Sequence, residues 1–263
     1  MKKRTAFILG IMLVIATIAV FSAHLRIPVA KAPAPVTAPE IPATSEPRAE
    51  APSVPPVQLP LPAGTKARIR SASQAVPFLS QAPTGKWGDP LYQNGCEEAS
   101  VLMAEYWASG KPFPGSADEA TLIRDTAKKI EAMYGTSHDT SAKDLAAFIG
   151  AQGSPLSVEF RSDVMLDDVR SAFMAGYAII VPMDGRKLGN PHYAEPGPER
   201  HMVVAVGYDA DTGEIVTNDP GTKFGAGYRY PEARFYAAIR DYETGDGTPI
   251  PSVRKDIIVI GKK

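Results

Sequence analysis

Between Pro28 and Pro62 the chain carries eleven of its 25 prolines, interleaved with alanine, valine and glutamate and without helical or strand periodicity. Proline lacks an amide hydrogen and fixes its own φ, so neither a helix nor an interior strand can propagate through such a run. The run therefore divides the chain into a short leading segment, a linker over 28–72, and a remainder over 73–263 that must hold the folded domain. Proline-dense chain favours polyproline II at roughly 3.1 Å per residue, which makes the linker a semi-rigid spacer with a reach on the order of 100 Å. The remainder has the length of one typical domain, and a hydrophobic content of 44% permits an ordinary core.

In the leading segment, Lys2, Lys3 and Arg4 precede an uncharged, mostly apolar stretch from Ala6 to Ala23, followed by His24 and Arg26. A bilayer-spanning helix needs roughly 17 to 25 such residues, and basic residues stay on the cytoplasmic side. Residues 1–27 are accordingly expected to act as an uncleaved signal-anchor, with the domain on the extracytoplasmic side, in a periplasm or at a cell surface. The rival is a cleaved signal peptide and a secreted product, with Val20-Phe21-Ser22 and Phe21-Ser22-Ala23 as the nearest approaches to a small-x-small site. A formal net charge of -1 supplies no electrostatic footprint for nucleic acid.

Within the domain, Ala75-Val76-Pro77-Phe78-Leu79 reads as a short leading strand. Helical spacing of Ala99, Leu102, Met103 and Tyr106 predicts a helix over Glu97–Ser109, ended by Gly110 and Pro112. Further helices are expected over Ala117–Tyr134, over Ser141–Ala151 with Ser141 as cap, and over Val164–Ala175. The pattern then changes. Tyr177–Met183 and His201–Tyr208 are rich in strand formers, Asp209–Gly213 is a hairpin turn into Glu214–Thr217, and Asp256–Ile260 is a last strand. Helices first and antiparallel strands second predict an α+β fold, with a helical half packed on an antiparallel sheet.

The chain has one cysteine, which rules out an internal disulfide and any multi-cysteine zinc site. Cys96 falls at the start of the first long helix, where unpaired amide groups lower a thiol's pKa. Glu97 and Glu98 oppose that effect if they point at the sulfur, so a basic partner is required. His201 opens an apolar strand whose hairpin returns to Asp219, which brings both side chains onto neighbouring strands. Asp219 can then fix the imidazole's tautomer, giving a Cys96–His201–Asp219 triad. Each residue alone has a plainer reading: a buried inert thiol, a core histidine, and an aspartate of the Asn218-Asp219-Pro220-Gly221 turn. Cys96, His201, His138 and His192 lack close ligand spacing, so neither a metal nor another cofactor is expected.

Val-Pro-Phe-Leu-Ser-Gln at 76–81, Asn-Gly-Cys-Glu-Glu-Ala-Ser at 94–100, Arg-His-Met-Val-Val-Ala-Val-Gly-Tyr-Asp at 200–209 and Thr-Asn-Asp-Pro-Gly-Thr at 217–222 together resemble a known group. They are similar to the papain-like peptidase domains related to the double-glycine leader peptidases of bacteriocin exporters. The resemblance runs from about Ala75 to the C-terminus. It implies a papain-like fold, nucleophile Cys96, base His201, orienting acid Asp219, and an oxyanion-stabilising glutamine. That glutamine matches Gln81, which follows the Val-Pro-Phe-Leu-Ser segment, although Gln93 stands nearer to Cys96. Where the leader peptidases usually carry glycine after the cysteine, this chain has Glu97, which points to a divergent branch. No transporter domain accompanies the match, so export-coupled leader cleavage is not implied.

The function expected is hydrolysis of peptide or amide bonds in a peptide or protein substrate by an exported cysteine peptidase. Two rivals stand beside it: a binding or scaffold domain that has lost catalysis, motivated by Glu97, and an amidase or transpeptidase acting on cell-wall peptides.

Overall fold

The computed structural model describes residues 71–245, 250 and 252–263. The expected signal-anchor and nearly all of the linker lie outside them. Among the described residues no helix is long and apolar enough to cross a membrane.

Among the described residues three long helices come first, as expected: α2 (Cys96–Ser109), α3 (Ser116–Tyr134) and α4 (Ala142–Ala151), preceded by the single turn α1 (Pro90–Gln93). Their ends follow their caps. Gly110 closes α2 in the left-handed region at φ 66°, and the Ser141 hydroxyl accepts from Asp144 N at 3.2 Å to open α4. The strands are β1 (Ala72–Ser73), β2 (Leu156–Arg161), β3 (Ala178–Met183), β4 (His201–Asp209), β5 (Glu214–Asn218), β6 (Tyr228–Pro231) and β7 (Ile257–Lys262). They form one sheet in the order β2-β7-β3-β4-β5-β6, antiparallel throughout, with β1 added beside β4. This is the mixed helix and antiparallel-sheet architecture expected. Two further short helices, α5 (Leu166–Met174) and α7 (Glu232–Ala238), and the turn α6 (Gly185–Leu188) complete the domain.

The sheet is buried on both faces, which goes beyond a helical half on one side of it. Ala178, Ile180, Met202, Val204, Ile258 and Ile260 pack with the helices α2 to α4. Their alternates Ile179, Val181, Val203, Ala205, Ile257 and Val259 pack with Val169 and Phe173 of α5 and Phe235 of α7. Successive strand residues point to opposite faces, so a strand covered on both must read as a continuous apolar run. That is why Ala178–Met183 is wholly buried.

Two expectations are corrected. Ala75–Leu79 is not a strand: Pro77 has no N–H, Val76 N donates to Gln74 O at 2.9 Å, and Val76 O accepts from Asn218 Nδ2 at 2.8 Å. The ladder lies earlier, at Ala72 opposite Tyr208 and Ser73 opposite Gly207. A side chain at 207 would place its Cβ 2.4 Å from Ala72 O, so only glycine lets β1 come this close. The second correction is an added strand: β2, where no element is expected, pairs with β7 along its whole length.

Candidate active site

The candidate residues meet at one end of the sheet. Cys96 is the first residue of α2, His201 the first of β4, and Asp219 follows the last residue of β5. Hairpin register brings the last two together: Val204 pairs with Asn218, so the chain leaving β5 runs back along the start of β4. Gln81, Cys96, His201 and Gly221 line a common cavity of about 540 Å³, whose rim includes Trp87 and Pro196.

His201 is buried, and its Nε2 lies 2.8 Å from Asp219 Oδ1. That leaves Nδ1 as the ring nitrogen available to a second partner. Gly221 presses on the ring from outside: a Cβ there would lie 2.7 Å from His201 Cε1. Tyr193 meets the ring edge-on at 5.3 Å.

Asp219 is fully buried and saturated with donors. Oδ1 also accepts from Gly221 N at 3.0 Å. Oδ2 accepts from Tyr193 Oη at 2.5 Å, Tyr230 Oη at 2.7 Å and Asn190 Nδ2 at 3.3 Å. Burial pushes this carboxyl's pKa up, but the His201 charge and the donated hydrogen bonds outweigh it and hold the group below the usual range. Burial and the adjacent Asp219 charge push both tyrosines well up, so they stay neutral donors. Asn190, Tyr193 and Tyr230 were missed in the sequence. Asn190 and Tyr193 lie in an aperiodic stretch, and Tyr230 reads as an ordinary strand aromatic, so no spacing pointed to them.

Cys96 departs from expectation. Its position at the helix start is as read, yet its thiol is pushed well above its usual pKa, first by burial and then by Glu97. The side chain of Glu97 does turn toward the sulfur: Sγ donates to Glu97 Oε2 at 2.9 Å, while Tyr242 Oη donates to Oε1 at 2.7 Å. A buried carboxylate at this distance overrides the amide groups of one helix end, and the backbone N–H of Met202 is the opposing influence on the sulfur. Glu97 itself is raised by burial, and Glu98 is raised further by burial and by Glu97.

Gln81 is buried against the segment before Cys96. Its N–H donates to Pro220 O at 3.0 Å, and its Nε2 donates to Tyr92 O at 2.7 Å and Gln93 O at 3.3 Å. Gln93 is exposed and supplies Gln81 with a carbonyl. Both glutamines border the cavity, whereas His138 and His192 do not; His192 instead meets Phe224 at a tilt, ring centroids 4.6 Å apart.

Helices laid on an antiparallel sheet, with a cysteine heading the first long helix and a histidine–aspartate pair at the facing strand ends, define a papain-like peptidase fold. The chain belongs to the Peptidase_C39 like family, whose model matches residues 73–246. A solved structure of a candidate C39-like peptidase from Bacillus anthracis is similar to it at 14% identity and a TM-score of 0.48, over 74% of this chain and 98% of that one. Among curated proteins none matches.

Proposed function

We propose that this chain is an exported, membrane-anchored cysteine peptidase that cleaves peptide or amide bonds through Cys96, His201 and Asp219. The observation that carries the reading is the buried 2.8 Å contact between His201 Nε2 and Asp219 Oδ1 beside the cavity that Cys96 lines. In this mechanism Cys96 Sγ passes its proton to His201 Nδ1 and attacks the substrate carbonyl carbon. The histidine returns the proton to the departing amine, and water activated by His201 then hydrolyses the thioester. The Cys96 backbone N–H and Gln81 Nε2 hold the developing oxyanion, the amide giving up its 3.3 Å bond to Gln93 O to do so. Asp219, held ionised by its donors, keeps the imidazole oriented and stabilises its cation.

Family membership supports a peptide or protein substrate, and the basic-flanked apolar run over 6–23 supports anchoring with the domain outside the cytoplasm. The test is peptide hydrolysis by the full-length protein. Cys96→Ala is expected to abolish turnover, and His201→Ala to abolish both turnover and rapid alkylation of Cys96 at mildly acidic pH. Turnover that survives Cys96→Ala would refute the reading. A specific observation favours a second reading, that of a non-catalytic binding domain: the Cys96 proton is already engaged by Glu97. Slow alkylation that follows an ordinary thiol titration and ignores His201→Ala would favour it.

A further inference from the structure

Glu97 occupies an unusual position for a carboxylate. It is 1% exposed, and its two oxygens are taken by a thiol and a phenol, Cys96 at 2.9 Å and Tyr242 at 2.7 Å. Among the described residues no lysine, arginine or histidine pairs with it. The other charged groups that face it are acidic, namely Glu98 on the same helix and Asp139 in the loop before α4. Asp139 is itself engaged by Arg200 at 3.6 Å. Such a carboxyl has neutral donors on both oxygens and no counter-ion.

We propose that Glu97 is a further catalytic residue of this site, a proton switch that holds the Cys96 thiol at rest and permits the nucleophilic pair with His201 only when Glu97 itself carries a proton. The inference rests on the cysteine-peptidase reading and adds its regulation. The geometry carries it. With Glu97 ionised, the thiol proton fills the 2.9 Å gap between Sγ and Oε2. If that proton moved to His201 Nδ1, two buried anions would face each other across the same gap with nothing between them. With Glu97 protonated, the proton transfer to His201 leaves the contact intact but reversed: the carboxylic O–H now donates to the thiolate, a charge-assisted bond. The reactive state therefore holds its protons on Glu97 and His201, and the resting state holds one on sulfur. Tyr242 Oη donates to Oε1 in both states and, because it favours the ionised carboxylate, sets where the switch lies. Burial raises the Glu97 pKa, which brings its titration toward the working range.

The pH dependence follows with a definite sign. Reactivity is present while Glu97 is protonated and falls as rising pH ionises it, then returns only above the range where a bare thiol would titrate. A cysteine–histidine pair without this neighbour would stay reactive across that interval.

The experiment is the rate of iodoacetamide alkylation of Cys96 against pH in the full-length protein and its Glu97→Gln, Tyr242→Phe and His201→Ala variants, each checked by circular dichroism. An amide at 97 donates N–H toward sulfur and accepts from Tyr242, so Glu97→Gln is expected to remove the mid-range fall and raise labelling near neutral pH by about tenfold or more. Tyr242→Phe withdraws a donor from the carboxylate and is expected to move the fall upward by about one pH unit. This second variant decides the matter if Glu97→Gln does not fold. A wild-type profile in Glu97→Gln, or no displacement in Tyr242→Phe, overturns the switch while His201→Ala still abolishes acid-range labelling. If His201→Ala changes nothing, the cysteine-peptidase reading fails first, and the switch fails with it.

Discussion

Gly221→Ala isolates the contribution of His201 placement without replacing a titratable group. Residue 221 does not have the positive φ that only glycine favours, so alanine meets no backbone penalty there. What it meets is the imidazole. The new Cβ would lie 2.7 Å from His201 Cε1, 3.1 Å from Nε2 and 3.2 Å from Tyr193 Cε1, where ordinary contact begins at 3.4 Å. The ring must yield by about 0.7 Å, and it is anchored by a single 2.8 Å bond to Asp219. A shift of that size stretches the bond beyond useful length. Misplacing a catalytic group by about 1 Å can cost roughly 100-fold in rate, so acid-range alkylation of Cys96 and peptide turnover are expected to fall by about that factor. The accompanying overpacking should cost about 1–3 kcal/mol, read as a lowered urea midpoint at unchanged slope. A folded Gly221→Ala protein that labels and turns over at the wild-type rate would refute the claim that ring position governs this site.

Gln81→Ala is expected to lower kcat/KM by about 100 to 1,000-fold and Gln93→Ala by far less; the reverse order in a peptide-hydrolysis assay would move the oxyanion role to Gln93. Tyr230→Phe removes a donor to Asp219 Oδ2 and the acceptor of Asn190 Nδ2, and should cost about 1–3 kcal/mol in urea unfolding. Asp241, pushed up to about 7 chiefly by burial, carries the opposite pH signature to Asp219. Its unfolded pKa is about 3.9, so between there and 7 the folded chain binds more protons and stability falls as pH rises, by up to about 4 kcal/mol. Asp241→Asn should flatten that slope in urea midpoints measured from pH 4 to 7.

The parts of the fold legible in the sequence were those where one local pattern had one solution. Cys96 at a helix start, His201 at a strand start and Asp219 after a return strand all follow from periodicity and turn chemistry, and the hairpin alone brings two of them together. The leading strand was misplaced because Val76-Pro77-Phe78-Leu79 looks apolar and extended, as it is, while pairing depends on a partner that only the fold supplies. Leu156-Ser157-Val158-Glu159-Phe160-Arg161 did carry the period-two alternation of β2 and could have been read. The donors of Asp219 could not. Asn190, Tyr193 and Tyr230 come from separate segments and converge only in three dimensions.

The same distinction explains why the two buried carboxyls of the site have opposite characters. Asp219 and Glu97 are 0% and 1% exposed, so desolvation penalises both charges alike. Asp219 escapes because His201 and several hydrogen-bond donors converge on it, whereas Glu97 has a thiol, a phenol and acidic neighbours. One is thereby held ionised and the other is drawn toward its proton, the first beside His201 and the second beside Cys96. Environments that separate the pKa values of two like groups assign them different roles. In the proposed mechanism they suit Asp219 to orienting His201 and Glu97 to holding the Cys96 proton, at the position that is usually glycine in the leader peptidases the sequence resembles. A glycine there could neither hold that proton nor withhold it, so Glu97 ties the reactivity of this thiol to its own protonation.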